Sequence, residues 1–211
     1  MSLKAANLLG DVATYYAAKL AEHGDTPLGV DWNGEESQIL RFEQLCGVFD
    51  REKSAFSVND LGCGYGALFE YLQDKYSESV YLGIDVSREM IILAEQRFAG
   101  AGQARFLTGS EPDQLAEYGI ASGIFNVRLG RMDAEWFDYL QTTLDILDQT
   151  SSLGFAFNCL TSYSDEDKKR NYLYYADPCR LFDLCKRRYS RRVALLHDYG
   201  LYEFTILVRK A

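Results

Sequence analysis

Hydrophobic positions recur at helical spacing over the first part of this chain and gather into short strand-like runs further on. Residues 3–23 place Leu, Val and Tyr side chains along one side of a helix, and a stretch containing Gly and Pro at 24–29 ends it. A second helix is predicted to open at Gly34-Glu35, because acidic residues are favourable in the first turn of a helix. These two helices predict an N-terminal helical cap over residues 1–55, packed on the rest of the chain.

From Phe56 onward, the predicted strands and helices alternate. Strands joined by helices run parallel with right-handed crossovers, which builds a sheet with helices on both faces. Residues 56–211 are therefore expected to form a three-layer α/β/α domain with a Rossmann-like, mostly parallel sheet. The predicted strands lie near 56–60, 80–85, 104–108, 119–124 and 153–159, and the predicted helices near 67–75, 87–98, 134–149 and 178–188.

The end of the chain departs from this alternation. Two strand-like runs, 192–197 and 202–209, are separated only by Asp198-Tyr199-Gly200-Leu201. A connection that short makes a hairpin, so the last strand must run antiparallel to its neighbour. We therefore expect an antiparallel C-terminal hairpin strand in the sheet, and a single structural domain overall.

The composition narrows the classes of function. The net charge is −9 and basic residues cluster only near 186–192, so nucleic acid, which needs a broad cationic face, is not an expected partner. No apolar run reaches bilayer length, so no membrane partner is expected. Five cysteines without a Cys-x-x-Cys pair indicate free thiols in a reducing cytoplasm. Two distant histidines do not suggest a metal site, and the oligomeric state is left open.

The segment from Val58 to Gly66 carries the most chemical information. It reads as a buried strand that ends in an acid, Asp60, followed by a glycine turn and a helix that starts at Ala67. Gly62 and Gly64 let the backbone approach a ligand closely, and the helix start offers unpaired N–H groups. The fixed negative charge of Asp60 suits a cationic group on that ligand.

A second strand, residues 80–85, also ends in an acid, and a carboxylate there can accept two hydrogen bonds from a ribose diol. Asp60 and Asp85 together predict a nucleoside with an amino group, lying across the ends of two adjacent parallel strands. The pattern Gly62-x-Gly64-x-x-Ala67 also satisfies the dinucleotide fingerprint. Asp60 favours the first interpretation, because a carboxylate suits an ammonium group better than a pyrophosphate.

These features resemble the class I S-adenosylmethionine-dependent methyltransferases, over about residues 56–211. Residues 60–66 match the first motif of that family and residues 82–87 match the second. Further segments are similar to a small, poorly characterised bacterial branch of it: 36–43, 121–126, 177–178 and 197–204. The resemblance implies S-adenosylmethionine as the methyl donor and S-adenosylhomocysteine as the product.

The resemblance also implies roles for individual residues in donor binding. Gly62, Cys63 and Gly64 would meet the donor with their backbone. Asp60 would hold its amino end, Asp85 both ribose hydroxyls, and Val86 would pack on the adenine. These residues form the predicted donor site.

The next donor contact departs from the family pattern. Where many members have Asp, this chain has Ser110 followed by Glu111, and either could accept from the adenine amino group. Ser110 could equally cap a helix ahead of Pro112. Arg41 could meet the donor carboxylate, or lie on the helix surface.

On the acceptor side, Ser122 would lie beside the sulfonium, where small residues leave room for the methyl group. Asn126 could orient an acceptor, and Arg128 or Arg131 could pair with an acidic acceptor. The sequence is equally compatible with a structural role for Asn126 in the loop and with two arginines that are exposed to solvent. Trp32 could extend from the N-terminal cap into the ligand site, or only pack between the cap and the rest of the chain.

Tyr163 lies in a polar loop that could close over a substrate, or that is an ordinary insertion. His197 could act as a base or make a structural hydrogen bond. The catalytic candidates are thus Asn126, His197 and Tyr163. The sequence does not indicate which of them, if any, acts as the general base.

The sequence therefore predicts a methyltransferase that uses S-adenosylmethionine and acts on a small-molecule acceptor. Two alternatives remain at this point. One is an NAD(P)-dependent oxidoreductase that uses the same glycine turn. The other is a protein that binds S-adenosylmethionine without transferring its methyl group.

Overall fold

The structure, a computed structural model, describes residues 3–32 and 34–210. In these residues the chain forms six α-helices, a short 3-10 helix at Pro27–Val30, and seven strands. The helices are α1 (Leu3–His23), α2 (Glu35–Cys46), α3 (Ala67–Lys75), α4 (Arg88–Arg97), α5 (Asp133–Gln149) and α6 (Pro178–Arg188). The strands are β1 (Ser57–Leu61), β2 (Val80–Asp85), β3 (Ala104–Thr108), β4 (Ala116–Ala121), β5 (Ser151–Leu160), β6 (Arg192–Leu196) and β7 (Glu203–Arg209).

The seven strands form one sheet in the order β3-β2-β1-β4-β5-β7-β6. Strands β1 to β5 pair in parallel, whereas β7 inserts between β5 and β6 and runs antiparallel to both. The mostly parallel sheet and the antiparallel C-terminal hairpin strand are therefore confirmed. From β1 the chain builds the sheet in one direction through β2 and β3, and then in the other direction from β4 onward. Sheets of this kind bind ligands in the crevice beside the strand at which the direction changes, here β1.

Helices cover both faces of the sheet, which confirms the three-layer arrangement. On one face, buried side chains of α1, α5 and α6 pack on the strands around the fully buried Trp136. On the other face, side chains of α2, α3 and α4 pack around Phe69 and Tyr81. Burial of these large side chains provides the main stabilisation of the sheet.

Local capping explains why several helix boundaries were predictable. The Ser87 hydroxyl accepts from the Met90 amide at 3.3 Å at the start of α4. Asp177 accepts from the amides of Cys179 and Arg180 at 2.8 and 3.1 Å, just before Pro178 opens α6. Side-chain oxygens at the N-cap satisfy amides that the helix itself leaves unpaired.

Two local predictions are wrong. The fourth strand was expected near 119–124, but it ends at Ala121, because the Gly123 amide leaves the ladder and donates to the side chain of Asn158 at 2.7 Å. Ser110 does not cap a helix, since residues 109–115 form bends between β3 and β4.

The N-terminal elements lie across the edge of the sheet at which β1 and β2 end. Asp31, next to the 3-10 helix, accepts from the Tyr15 hydroxyl at 2.7 Å and pairs with Lys19 at 3.0 Å, so α1 is tied to the segment that follows it. The division into a cap (1–55) and a donor domain (56–211) stays a prediction, and residues 1, 2, 33 and 211 lie outside the described residues. No helix within 3–32 and 34–210 is both long and apolar enough to cross a membrane.

Candidate functional site

A cavity of about 450 Å³ opens at the carboxyl ends of β1, β2 and β4. Its floor is the glycine turn after β1, and residues from α1, the 3-10 helix, α2 and α5 cover it. Of the predicted site residues, the structure brings these to its wall: Asp60, Gly62, Cys63, Gly64, Asp85, Val86, Ser110, Glu111, Ser122 and Trp32.

The glycine turn is held tightly against β2 and the loop after β4. The amides of Gly62 and Cys63 both donate to the carbonyl of Ile84, at 2.7 and 3.0 Å. Gly62 has φ +80°, and a Cβ built there would lie 2.1 Å from Cγ2 of Ile124. Only glycine fits that conformation and that space, so the bare backbone of the turn forms part of the cavity wall.

Asp85 connects the ends of β1 and β2. One of its carboxylate oxygens accepts from the Gly64 amide at 2.9 Å, and the other accepts from the Ser87 amide at 2.8 Å. Burial raises the pKa of Asp85, and the hydrogen bonds from Ser87 and Gly64 oppose that rise. Each carboxylate oxygen has a second lone pair, so Asp85 can still accept from a ligand hydroxyl group.

Asp60 presents an oxygen atom that has no partner. Its Oδ2 accepts from the Tyr81 hydroxyl at 2.5 Å, whereas its buried Oδ1 has no hydrogen-bond partner in the described structure. Burial raises the pKa of Asp60 to about 7, although the hydrogen bond from Tyr81 opposes the rise. A buried acceptor without a partner costs free energy, so this oxygen suits a ligand that supplies donors and positive charge.

Val86, Ser110 and Glu111 line the cavity beside β2 and β3. Glu111 is exposed, and both Ser110 and Glu111 face the same space. Either residue therefore remains a predicted contact for a ligand base in this position.

Arg41 does not line the cavity, and the structure gives it a different partner from the expected donor carboxylate. Its Nε and Nη2 donate to the two carboxylate oxygens of Glu203 at 2.8 and 2.9 Å, and its Nη1 donates to the Ser37 carbonyl at 2.7 Å. The side chain is buried, not a surface arginine. Its guanidinium stacks on Trp32, 3.9 Å from the ring centroid, so it reaches the cavity only through that residue.

Asn126 and Arg128 hold the loop after β4 in place and are absent from the cavity wall. Asn126 is buried, and its side-chain oxygen accepts from the Leu160 amide at 3.1 Å. Arg128 donates to the Leu173 carbonyl at 3.0 Å and pairs with Asp133. Arg131 pairs with Asp11 and Glu135, so neither arginine is placed to bind an acidic acceptor in the cavity.

Tyr163 and His197 lie away from the cavity, next to each other. Tyr163 is 70% exposed, and its ring centroid lies 5.9 Å from that of His197. His197 also packs against Phe204 of β7. The three catalytic candidates therefore all lie off the cavity wall. Asn126 makes a hydrogen bond that holds its loop, whereas the contacts of His197 in the described structure are ring contacts and not a hydrogen bond.

The sequence did not single out several residues that line the cavity. Tyr16 of α1 and Tyr139 and Thr143 of α5 are examples, as is Gln38 of α2, which hydrogen-bonds with the Tyr65 hydroxyl. Helical spacing indicated that α1 has a buried side including Tyr16, but not which surface that side covers. In the part of the chain that the structure describes, no group of His, Cys, Asp and Glu is arranged to hold a metal ion.

Comparison with known proteins points to one family. The family model described as "Methyltransferase domain" matches residues 58–140, which include most of β1, the glycine turn and β2. A Mycobacterium tuberculosis protein, provisionally named methyltransferase Rv1506c, is 62% identical over 156 residues, which cover 74% of this chain and 94% of that protein.

Solved structures share the fold at low sequence identity. The N-methyltransferase NodS from Bradyrhizobium japonicum, solved with S-adenosylhomocysteine, aligns with a TM-score of 0.65 and 16% identity, over 94% of this chain and 97% of that one. Human N-acetylserotonin methyltransferase, solved with S-adenosylmethionine, aligns with a TM-score of 0.60 and 20% identity, over 83% of this chain. The match spans only 53% of the human chain.

Proposed function

The chain belongs to the class I S-adenosylmethionine-dependent methyltransferases, and from that premise we propose that it transfers a methyl group from S-adenosylmethionine to a small-molecule acceptor. One observation carries the proposal. The unpartnered Asp60 oxygen and the Asp85 carboxylate lie at neighbouring strand ends of one cavity, with the bare glycine turn between them.

The residues present fit this donor. Asp60 would accept a hydrogen bond from the amino group of the donor, which would give its Oδ1 atom a partner. Asp85 would accept from the ribose hydroxyls while it keeps its bonds to Gly64 and Ser87. Val86 would pack on the base, with Ser110 or Glu111 as the acceptor for the base amino group.

When bound, S-adenosylmethionine supplies a methyl group on a positively charged sulfur atom, which is already an activated leaving group. The protein's own contribution is alignment of the acceptor and exclusion of water, and both are effective ways to lower such a barrier. The apolar side chains Leu9, Val12 and Ile124 on the cavity wall would exclude water. Asp60, Asp85 and Glu111 are the carboxylates on the described wall, and no histidine lies there.

A small acceptor is supported by the dimensions of the site. A cavity of about 450 Å³ lies at the lower end of the range for small-molecule sites, roughly 300–1,000 Å³. A nucleoside-sized donor fills part of that volume, and the remainder suits a small acceptor. The net charge of −9 argues in the same direction, since a nucleic-acid acceptor would need a cationic surface.

Neither alternative is favoured. In an oxidoreductase, the pyrophosphate of the dinucleotide would approach the turn beside the buried Asp60 carboxylate, which would repel it. The family match favours methyl transfer over donor binding alone.

Calorimetry with S-adenosylhomocysteine, NADH and NADPH tests the donor assignment. We expect binding of S-adenosylhomocysteine alone, loss of that binding in Asp60→Ala, and normal binding in the control Asp74→Ala, whose side chain is exposed on α3. Transfer of a labelled methyl group to members of a metabolite library then tests catalysis. Binding of NADH but not S-adenosylhomocysteine would refute the proposal, and a library without any acceptor would favour the non-catalytic alternative.

A further inference from the structure

The charges around the cavity restrict the acceptor. The charged side chains on the described wall are Asp60, Asp85 and Glu111, all acidic. Nearby cations are paired elsewhere, as Arg41 is with Glu203 and Lys19 is with Asp31. An anionic acceptor would therefore enter a negative site in which no cationic side chain of the described wall pairs with it, which opposes its binding.

Trp32 forms a rigid aromatic wall next to the donor site. β4 pairs with β1 on the side opposite β2, so the end of β4 lies beside the groove formed by β1 and β2. Trp32 packs there so closely on Gly123 that a Cβ on that glycine would lie 2.4 Å from the ring. The guanidinium of Arg41 stacks on the same ring. A ring fixed in this way can bind a flat apolar partner with little loss of side-chain entropy.

Two hydroxyl groups on the cavity wall have no hydrogen-bond partner among the residues that the structure describes. The Ser122 Oγ is buried and has no partner in the described structure. None of the hydrogen bonds in residues 3–32 and 34–210 involves the Tyr16 hydroxyl. Both side chains line the cavity. A hydroxyl group donates or accepts, so the pair matches a neutral group that does both.

We propose that the acceptor is an uncharged small molecule with a flat aromatic body and a hydroxyl group, with the ring against Trp32 and the hydroxyl at Ser122 and Tyr16. This inference rests on the proposed function and adds the chemical class of the acceptor. In the transfer, the bond between the methyl carbon and sulfur breaks and its electron pair stays on sulfur. A lone pair of the acceptor oxygen forms the new bond to carbon, and the hydroxyl proton passes to bulk water at the opening of the cavity.

Calorimetry of the protein saturated with S-adenosylhomocysteine tests this class with three matched probes. The probes are 2-naphthol, its anionic counterpart 2-naphthoate, and the saturated decahydro-2-naphthol, which keeps the hydroxyl group but is not flat. We expect 2-naphthol to bind at least about tenfold more tightly than either of the others, the scale of one lost favourable contact. Equal or tighter binding of 2-naphthoate, equal binding of decahydro-2-naphthol, or no binding of 2-naphthol would each overturn the inference.

Variants identify the residues. Trp32→Ala should weaken 2-naphthol binding by about tenfold, and Ser122→Ala and Tyr16→Phe by about fivefold each. Tyr76→Phe is the matched control, since Tyr76 packs on Phe49 and Phe56 away from this cavity. Unchanged 2-naphthol affinity in Trp32→Ala, in a protein that still binds S-adenosylhomocysteine normally, would contradict the role of Trp32.

The two proposals fail separately. If the wild-type protein does not bind S-adenosylhomocysteine, the proposed function is wrong. If it binds S-adenosylhomocysteine but does not prefer 2-naphthol, only the acceptor class is wrong.

Discussion

Arg41 on α2 and Glu203 on β7 form a buried, two-pronged ion pair between residues 162 positions apart in the chain. The Glu203 carboxylate also accepts from the side-chain Nδ2 of Asn158 at 2.7 Å. The side-chain Oδ1 of Asn158 in turn accepts from the backbone amide of Gly123 at 2.7 Å. Because Arg41 and Gly123 both contact Trp32, these bonds join the N-terminal segment to the cavity wall at the end of β4. The ion pair therefore positions the cavity wall, although neither Arg41 nor Glu203 lines the cavity.

Replacing Glu203 with Gln should destabilise the protein. It leaves the Arg41 charge buried without a counter-charge, which typically costs about 3–5 kcal/mol of unfolding free energy. Urea unfolding measures this change. Asp183→Asn is the control, because its pair with Arg187 is exposed to solvent and its loss should leave stability unchanged. Equal stability of Glu203→Gln and the wild type would contradict this role.

Replacing Asp85 with Asn should weaken the binding of S-adenosylhomocysteine by roughly 1–3 kcal/mol, the scale of stranded hydrogen bonds at a buried site. The loss has two sources, since Asp85 also accepts from the Gly64 amide and so holds the turn. Calorimetry measures the affinity, with Asp113→Asn, an exposed carboxylate paired to Arg105, as the control. Near-normal affinity in Asp85→Asn would count against the donor site described above.

Donor binding should depend on pH through Asp60. Burial raises its pKa to about 7, so the carboxylate that would hold an ammonium group is lost as the pH falls through that value. We expect the affinity for S-adenosylhomocysteine to fall about tenfold between pH 8 and pH 6 if only the ionised form binds. Calorimetry at several pH values measures it, and Asp60→Asn, which never ionises, should bind weakly and to the same extent at pH 6 and pH 8. A flat profile in the wild type would contradict this assignment.

The same shift has the opposite effect on the stability of the ligand-free protein. The folded state binds a proton at Asp60 more tightly than the unfolded state does, so this group stabilises the fold below its ordinary pKa near 4. That contribution is lost as the pH rises toward about 7. Urea unfolding at pH 5 and pH 7.5 should show a smaller decrease with pH in Asp60→Asn than in the wild type. An equal decrease in both proteins would count against a raised pKa.

Tyr81→Phe should move the pH dependence of donor binding to higher pH. The Tyr81 hydroxyl donates to Asp60 and lowers the pKa of that carboxyl, so its removal raises the pKa further. The midpoint of the affinity profile reports the shift, with Tyr76→Phe as the control. A midpoint that stays in place or moves down would show that this hydrogen bond does not tune Asp60.

Gly62→Ala should abolish donor binding and lower stability. The left-handed backbone at Gly62 and the contact of the new Cβ with Ile124 both force the turn to move. Calorimetry and thermal unfolding measure the two effects. Gly102→Ala is the matched control, because a Cβ there meets nothing within 4 Å. Normal binding in Gly62→Ala would mean that the turn is not part of the donor site.

Much of the fold, and the residues of β1, β2 and the glycine turn that line the cavity, were predictable, because the evidence for them is local in the sequence. The glycine turn, strands β1 and β2 and the caps of α4 and α6 are each indicated by a short run of residues. The predicted bounds of α3, β2 and α6 agree with the structure for that reason. The end of β4 was misplaced, because the Gly123 amide pairs with Asn158, which lies 35 positions further along.

The amino-acid sequence by itself determined the class of fold, the family and the carboxylates at the ends of β1 and β2, since periodicity and short motifs record backbone conformation directly. Only the tertiary structure decided which polar side chains face the cavity and which hold the framework. Arg41, Asn126 and Arg128 had plausible ligand roles in the sequence, yet each is bound to a distant part of the chain. By contrast, the sequence did not indicate a ligand role for Tyr16, which lines the cavity. The partner of a side chain depends on how remote elements pack, and no local pattern records that packing.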